Sequence, residues 1–351
     1  MIRFLDNSDT TQLKIFYDKA YGEKHILNNL LHHDWQFKNN PNNGLSTKSI
    51  LVNESSSIID SQLGFIPVEL KLFENNYNSA WHISFYTLEN FRGKGIGTKL
   101  IEYGNNFFDF TMVLSGSDGT KKIYLNTNGK DFGNLNRYVG LLNKKRVENY
   151  LQSSIKKNEI KIFNDEKYEI QRITKLNEDY ENFWIKVKER YPITVNRTKK
   201  YLDWRFLEHP FLDYHFLLLK ENNSIMGFAI IRFEDNNEEL KAARLVDLIV
   251  FKNFEKIILN LISHYCLKKA DFIDFFCTGS FYKKSFNEMN FFNNLYEKLS
   301  FPTVFNPIDL TRRTEMNFFL KNNTSDNFDG KLSDIENFYF VKADSDQDRP
   351  N

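Results

Sequence analysis

Arg92-Gly93-Lys94-Gly95-Ile96-Gly97-Thr98 is the stretch of this chain whose residue types can do chemistry by themselves. It follows an apolar run, Ile83 to Leu88, that reads as a strand. It precedes a helical pattern with Leu100, Ile101 and Phe107/Phe108 available for a buried face. A strand, a glycine-rich turn and a helix start together make a holder for phosphate. Glycine removes the Cβ atoms that keep an anion from the backbone, and the first free amides of the helix, at the positive end of its dipole, point at the anion. Two common phosphate loops are excluded by spacing. A Walker loop needs Lys directly after its last glycine, but here Thr98 intervenes before Lys99. A dinucleotide fingerprint needs a third glycine where Thr98 stands. A helix start that merely contains glycine and holds no ligand is the plain alternative.

The spacing that does fit is [RQ]-x-x-G-x-[GA], met by Arg92, Gly95 and Gly97. This segment closely resembles the pyrophosphate loop of the GCN5-related N-acetyltransferase (GNAT) superfamily. The flanks agree, with Thr87 five residues before the arginine and Lys99-Leu100 after the loop; Glu89 departs from the family's frequent proline. The resemblance implies acyl-coenzyme A as cosubstrate. Phe85, Tyr86, Thr87 and Leu88 would line the pantetheine arm, and Arg92, Gly93, Lys94, Gly95, Ile96, Gly97 and Thr98 the pyrophosphate. The residues themselves reach only as far as a phosphate-bearing ligand.

The implied reaction is attack of an amine on a thioester. It needs an unprotonated amine, a stabilised carbonyl oxygen and a proton for the departing thiolate. By the resemblance, a strand amide near Tyr86–Leu88 serves the oxygen and a tyrosine on the helix after the fifth strand serves the thiolate. Tyr138 is the candidate, on a helix expected from about Phe132 to Leu142. His82, Asp247 and Glu69, and more loosely His32 and His33, are candidates for the base. Each also has an ordinary reading as a hydrogen-bonded core or surface residue. Asp247 lies in the apolar run Leu245-Val246-Asp247-Leu248-Ile249, where it needs a partner, either an acceptor amine or an arginine such as Arg244 or Arg232.

The elements that must position these residues occur twice. Asp34-Trp35-Gln36-Phe37 with Pro41 recurs as Asp203-Trp204-Arg205-Phe206 with Pro210, and each copy is followed by a strand, a turn and Gly-Phe. Ile83–Leu88 corresponds to Leu245–Phe251, and a strand expected at Lys122–Asn126 to Phe272–Phe276. The fold expected is α/β: two tandem GNAT-like domains, 1–158 and 159–351, each a central mixed, mostly antiparallel sheet flanked by helices. The second copy has Phe251-Lys252-Asn253-Phe254-Glu255-Lys256 in place of the loop, without glycine, so it should keep the fold and lose the coenzyme. Asn143–Glu159 reads as a surface helix or linker. Arg205 and His209, present only in the second copy, are candidates for acceptor contacts together with Glu69.

Composition narrows the class further. In 351 residues the net charge is +1, without the basic field of a nucleic-acid binder. No apolar run is long enough to span a membrane, and the N-terminus lacks a charged-then-apolar signal, which suggests a cytoplasmic protein. Cys266 and Cys277 read as reduced thiols without metal spacing, and no metal is expected. The terminal Asp344-Ser345-Asp346-Gln347-Asp348 lacks the glycine and glutamate of a calcium loop. Together with the repeated tryptophan motif, this tail resembles two-domain sugar N-acyltransferases of surface-polysaccharide (O-antigen) pathways. That resemblance implies a dTDP-linked amino-deoxysugar acceptor and acetyl- or 3-hydroxybutyryl-coenzyme A as donor. A peptide, aminoglycoside or other small amine as acceptor, or a non-catalytic coenzyme A-binding module, are the alternatives, and homodimerisation stays open.

Overall fold

The computed structural model describes residues 1–43, 49–164, 167–237, 239–296, 299–303, 305, 309–310, 315–328 and 330–350. In chain order the elements are β1 (Ile2–Phe4), α1 (Thr10–Tyr21), α2 (Leu30–Phe37), β2 (Ile50–Ser55), β3 (Ile58–Leu72), β4 (Asn75–Thr87), α3 (Ile96–Asn105), β5 (Phe110–Leu114), α4 (Asp118–Asn126), β6 (Lys130–Asn134) and β7 (Asn136–Leu141). There follow α5 (Lys144–Leu151), β8 (Glu169–Ile173), α6 (Glu178–Val187), β9 (Ile193–Val195), α7 (Lys199–Leu202), β10 (His215–Glu221), β11 (Ser224–Asp235) and β12 (Lys241–Val250). The chain closes with α8 (Glu255–Cys266), β13 (Phe272–Cys277), α9 (Lys283–Glu288), β14 (Phe292–Asn293), β15 (Asn317–Asn322) and β16 (Phe338–Tyr339). Among the described residues no helix is long and apolar enough to cross a membrane.

Two mixed sheets result, and their orders match. The first runs β1-β2-β3-β4-β5-β15-β6 and the second β8-β10-β11-β12-β13-β7-β14; β9 joins the first through the far end of β3 and carries β16. In each, the fourth and fifth strands are parallel. The strand between the fifth strand and the outer one is exchanged. β7 follows β6 directly but enters the second sheet, whereas β15 follows β14 and enters the first. The sheets are therefore not segregated at residue 158. The repeated tryptophans meet on the approximate two-fold axis: the Trp35 indole donates to the Trp204 carbonyl and the Trp204 indole to the Trp35 carbonyl, both at 2.8 Å. Their rings stack 5.2 Å apart.

Two expectations for local structure are corrected. Lys122–Asn126 is helical, within α4, because Ser117 caps a helix start by accepting from the Thr120 amide. The fifth strand is instead the fully buried Phe110-Thr111-Met112-Val113-Leu114. The helix expected from Phe132 to Leu142 is the β6–β7 pair, its two strands committed to different sheets. Asn143–Glu159 does contain a helix, α5, held over the core by buried Val147.

The first sheet is packed on both faces. Leu100 and Ile101 of α3 and Tyr124 of α4 close over Leu63, Phe65, Val113 and Phe319. On the other face α1 and α2 place Leu13, Phe16, Trp35 and Phe37 in the core that continues into the second half.

Candidate functional site

β4 and β5 pair only as far as Trp81↔Met112, after which the strands separate. β4 runs on to Thr87 with nothing in the ladder on its β5 side, while its other edge stays paired with β3 through Ser61↔Thr87. A bulge at this point, marked by the register shift against β3 and by Ser84 in the left-handed region (φ 48°), turns the strand. The Tyr21 hydroxyl donates to the Ser84 carbonyl at 2.9 Å and holds the bulge against α1. The opening between the strands is a cavity of about 830 Å³, walled by β4, the glycine loop, the N-terminus of α3, the segment after β5, and α4.

The loop has the conformation that a phosphate cradle needs. Gly93 (φ 76°) and Gly95 (φ 73°) are left-handed, and Gly95 immediately precedes α3. The first intrahelical bond joins the Lys99 amide to the Gly95 carbonyl, so the amides of Ile96, Gly97 and Thr98 have no acceptor within the helix. Gly97 works differently: a Cβ there would lie 2.8 Å from the Phe85 ring, so its bareness lets α3 close on β4. Arg92 is braced at the mouth, donating through Nε to the Thr87 carbonyl at 2.9 Å with its guanidinium 5.1 Å from the Tyr86 ring centre. Unpaired strand edge, left-handed glycines and free helix amides fit an extended ligand ending in a pyrophosphate.

Deeper in, His82 Nδ1 and the Tyr124 hydroxyl lie 2.5 Å apart. Burial pushes the imidazole down to about 3 and the phenol well up, so both are neutral and the phenol keeps its proton. His82 Nε2 and Ser84 Oγ are buried without a protein partner. The remaining wall comes from Tyr21, His25 and the C-terminal residues Asp346, Gln347 and Arg349. His25 stacks on Tyr21 at 4.7 Å, and Tyr21 meets Tyr86 edge-on at 5.3 Å.

The structure thus brings together Phe85, Tyr86, Thr87, Arg92, Gly93, Gly95, Ile96, Gly97, Thr98 and His82 around one cavity; Leu88 and Lys94 flank it in the chain. The other candidates lie elsewhere. Tyr138 is on β7, not on a helix; it is buried in the second half and stacked 4.4 Å from Phe286. The tyrosine on the helix after the fifth strand is Tyr124. Asp247 is on β12, buried against Arg197 Nε at 2.7 Å; Arg244 instead pairs with Asp274 and Glu234, and Arg232 with Asp348 and Glu234. Glu69 accepts from the Asn196 side chain on the far part of β3. Arg205 donates to the carbonyls of Ala343, Ser345 and Asp348. His209 Nδ1 accepts from the amides of Phe211 and Leu212, its ring 4.3 Å from Trp35. His32 is fully buried between Trp35 and Phe211, and His33 sits 3.6 Å from Asp34.

Sequence reasoning missed Tyr124, Tyr21 and His25; docking of the segment from Phe338 as a strand, expected to bring the tail carboxylates and Arg349 near the fold, is seen in β16, but the tail residues were given no place in the site. The capping Ser117 and the apolar run 110–114 were signals for the first; nothing local could place the others.

The equivalent opening in the second half is filled by the protein. β12 and β13 pair only to Leu245↔Phe275, and a bulge turns β12 as one turns β4. Here, however, the hydroxyls of Tyr282 and Tyr339 donate to the Leu248 carbonyl, and the Tyr191 hydroxyl accepts from the Val250 amide. Before α8, Asn253 supplies the left-handed residue (φ 76°), and Glu255 in the first turn pairs with Arg190 at 2.6 Å. A carboxylate held by Arg190 thus lies in the first turn of this helix, where its charge opposes a phosphate.

No family model and no curated protein matches the sequence. Solved structures are similar in fold. One is a GCN5-related N-acetyltransferase from Anabaena variabilis, with a TM-score of 0.60 and 10% identity over 92% of this chain and 73% of that one. Another, from Kribbella flavida, gives 0.57 and 9% over 91% and 70%. Saccharomyces cerevisiae N-myristoyltransferase with bound myristoyl-CoA gives 0.56 and 12% over 92% and 82%. With its two mixed sheets and their matching strand orders, the chain has the fold of the GCN5-related N-acetyltransferases, in tandem halves as in N-myristoyltransferase.

Proposed function

We propose that the chain is an acyl-coenzyme A-dependent N-acyltransferase whose donor binds in the first half only. The observation that carries this is the contrast between two equivalent notches. The β4/β5 notch is open and ends at a glycine-started helix, whereas the β12/β13 notch is filled by three tyrosines and closed by Glu255. The free amides of α3 and Arg92 would hold the pyrophosphate, and the unladdered edge of β4 the pantetheine amides.

Tyr124 replaces Tyr138 as the residue that hands a proton to the departing sulfur. Its hydroxyl is neutral, lies on the cavity wall and is oriented by His82. His82, neutral and deeply buried, is a positioning residue for that hydroxyl. Asp247, Arg205, His209 and Glu69 build the scaffold.

The acceptor is an amine. A nucleotide-linked amino-deoxysugar, the narrower reading, is supported by the aromatic faces of Tyr21, Tyr86 and His25. It is also supported by the cavity's having, among the described residues, a single carboxylate in its wall, Asp346, already paired with Arg349 at 2.9 Å, where a polycationic aminoglycoside calls for several unpaired ones. Calorimetry with acetyl- and 3-hydroxybutyryl-coenzyme A should give one site per chain, and a mass-shift screen of dTDP-linked amino sugars should give an acylated product. No binding, or two equivalent sites, would overturn the donor assignment.

A further inference from the structure

Beside the stacked Trp35 and Trp204, and outside the cavity, lies a group of buried donors without acceptors. Its centre is Arg205, which is 2% exposed. A guanidinium has five N–H donors and no acceptor. Three of these go to the tail, from Nε to the Ala343 carbonyl and from Nη2 to those of Ser345 and Asp348. Nη1, with its two protons, is buried without a protein partner. Among the described residues no carboxylate pairs with this arginine, since Asp348 is held by Arg232 and Asp344 by Arg197. A buried charge in that state is costly unless an opposite charge balances it.

The neighbours of Arg205 add donors and no negative charge. His209 accepts from the Phe211 and Leu212 amides through Nδ1, so its proton sits on Nε2, which is buried without a protein partner. His32 is fully buried with neither nitrogen in hydrogen-bond geometry with a protein group, and as a neutral imidazole it carries one N–H. Gln36, one turn further along α2, has a buried and unpartnered Nε2. These groups surround one indole. The His209 and His32 rings lie 4.3 and 5.3 Å from that of Trp35 and 6.1 Å from each other, and the Arg205 guanidinium is 5.3 Å from the Trp35 ring. Burial first, and then the Arg205 charge, hold both imidazoles below their usual range, so at neutral pH neither carries a charge of its own. Water would bring two protons of its own and no charge. An anion accepts from every one of these donors and balances the guanidinium.

We propose that Arg205 Nη1, His209 Nε2 and His32 hold a small inorganic anion, of chloride size, at the junction of the two halves. Burial sets the size: with His32 and Gln36 0% and 2% exposed and His209 9%, a ligand of more than a few atoms would have to open the fold. The anion completes the charge balance of the side chain that grips three carbonyls of the tail, and that tail walls the first cavity.

The test is thermal unfolding of the full chain at pH 7.5 and constant ionic strength, with chloride replacing gluconate, an anion too large to enter. The melting temperature should rise with chloride and saturate, by about 2 °C when chloride is at tenfold its dissociation constant. Arg205→Gln should melt at the same temperature in both salts. Crystals grown in bromide should show an anomalous-scattering peak in contact with Arg205 Nη1 and His209 Nε2. Equal melting of the wild type in the two salts, a chloride effect that survives in Arg205→Gln, or a bromide map without a peak at these atoms would overturn the proposal. So would the peak without the chloride-dependent rise, which would mark an adventitious ion only. Should Arg205→Gln fail to fold, the wild-type melts and the bromide map decide.

Discussion

Three buried histidines should make this protein lose stability on mild acidification. His32, His82 and His209 are 0%, 4% and 9% exposed. Burial, with nearby positive charge, pushes their pKa values down to about 4, 3 and 3. In the unfolded chain each returns to about 6.5. Between that value and the folded ones the unfolded state binds more protons, so stability is complete above about pH 6.5 and falls as pH drops. At pH 5 each contributes a loss of about 2 kcal/mol, about 6 kcal/mol together. Asp344 works the other way: burial and Asp247 raise its carboxyl to about 6. Protonating it in the fold returns about 1 kcal/mol between pH 7 and 5. The carboxyls of Asp274, Glu234 and Asp348, which are lowered by arginines, lose their contribution only below their unfolded values near pH 4. The net loss of about 5 kcal/mol is comparable to the whole stability of many domains. Urea unfolding at pH 7.5, 6.5, 5.5 and 5 should show the midpoint falling steeply below pH 6.5, and His32→Gln should make that fall shallower. A midpoint flat from pH 7.5 to 5 would refute the reasoning.

Tyr124→Phe should lower kcat by about 10²–10⁴-fold with little change in KM, as expected for a general acid that acts in the transition state; Tyr138→Phe, distant from the cavity, should leave kcat within about twofold, and steady-state kinetics on the pair separates the two tyrosines. Gly97→Ala should cost stability as well as donor affinity, because its Cβ would meet the Phe85 ring at 2.8 Å. Gly95→Ala, with open space around its Cβ but a φ of 73°, should cost about 1 kcal/mol through backbone strain alone. Thermal melts of the two variants with and without coenzyme A read the difference.

The sequence made legible those features that depend on a few adjacent residues. The glycine loop could be read because left-handed backbone at positions 93 and 95 restricts residue type. The tandem repeat could be read because Trp35 and Trp204 use side chain and carbonyl alike to meet on the axis. What stayed hidden depends on distant partners. Lys122-Ile123-Tyr124-Leu125-Asn126 has the apolar content of a strand, and only the cap at Ser117 with the packing of Tyr124 on Phe319 makes it a helix. The run 136–141 pairs with residues 272–277, a partner that no local pattern could supply. The wall formed by Asp346 and Arg349 depends on arginines more than a hundred positions away, each choosing a backbone or carboxyl partner in the folded chain.

The filled second notch and the first cavity are joined by one piece of chain. Tyr339, whose hydroxyl caps the Leu248 carbonyl inside the second notch, lies five residues before Asp344 and seven before Asp346. A pantetheine in the β12/β13 notch and Tyr339 in its observed place would claim the same backbone groups, so the two are mutually exclusive. With the notch closed, the chain leaving Tyr339 runs along the second half into the grips of Arg197, Arg205 and Arg232, and emerges with Asp346 and Arg349 facing the first cavity. Exchange of β7 and β15 ties the two halves together, since each sheet takes a strand from the stretch of chain that otherwise builds the other. The second half therefore shapes the first half's cavity: the chain that places Tyr339 in one notch continues, held by Arg197, Arg205 and Arg232, to the wall of the other.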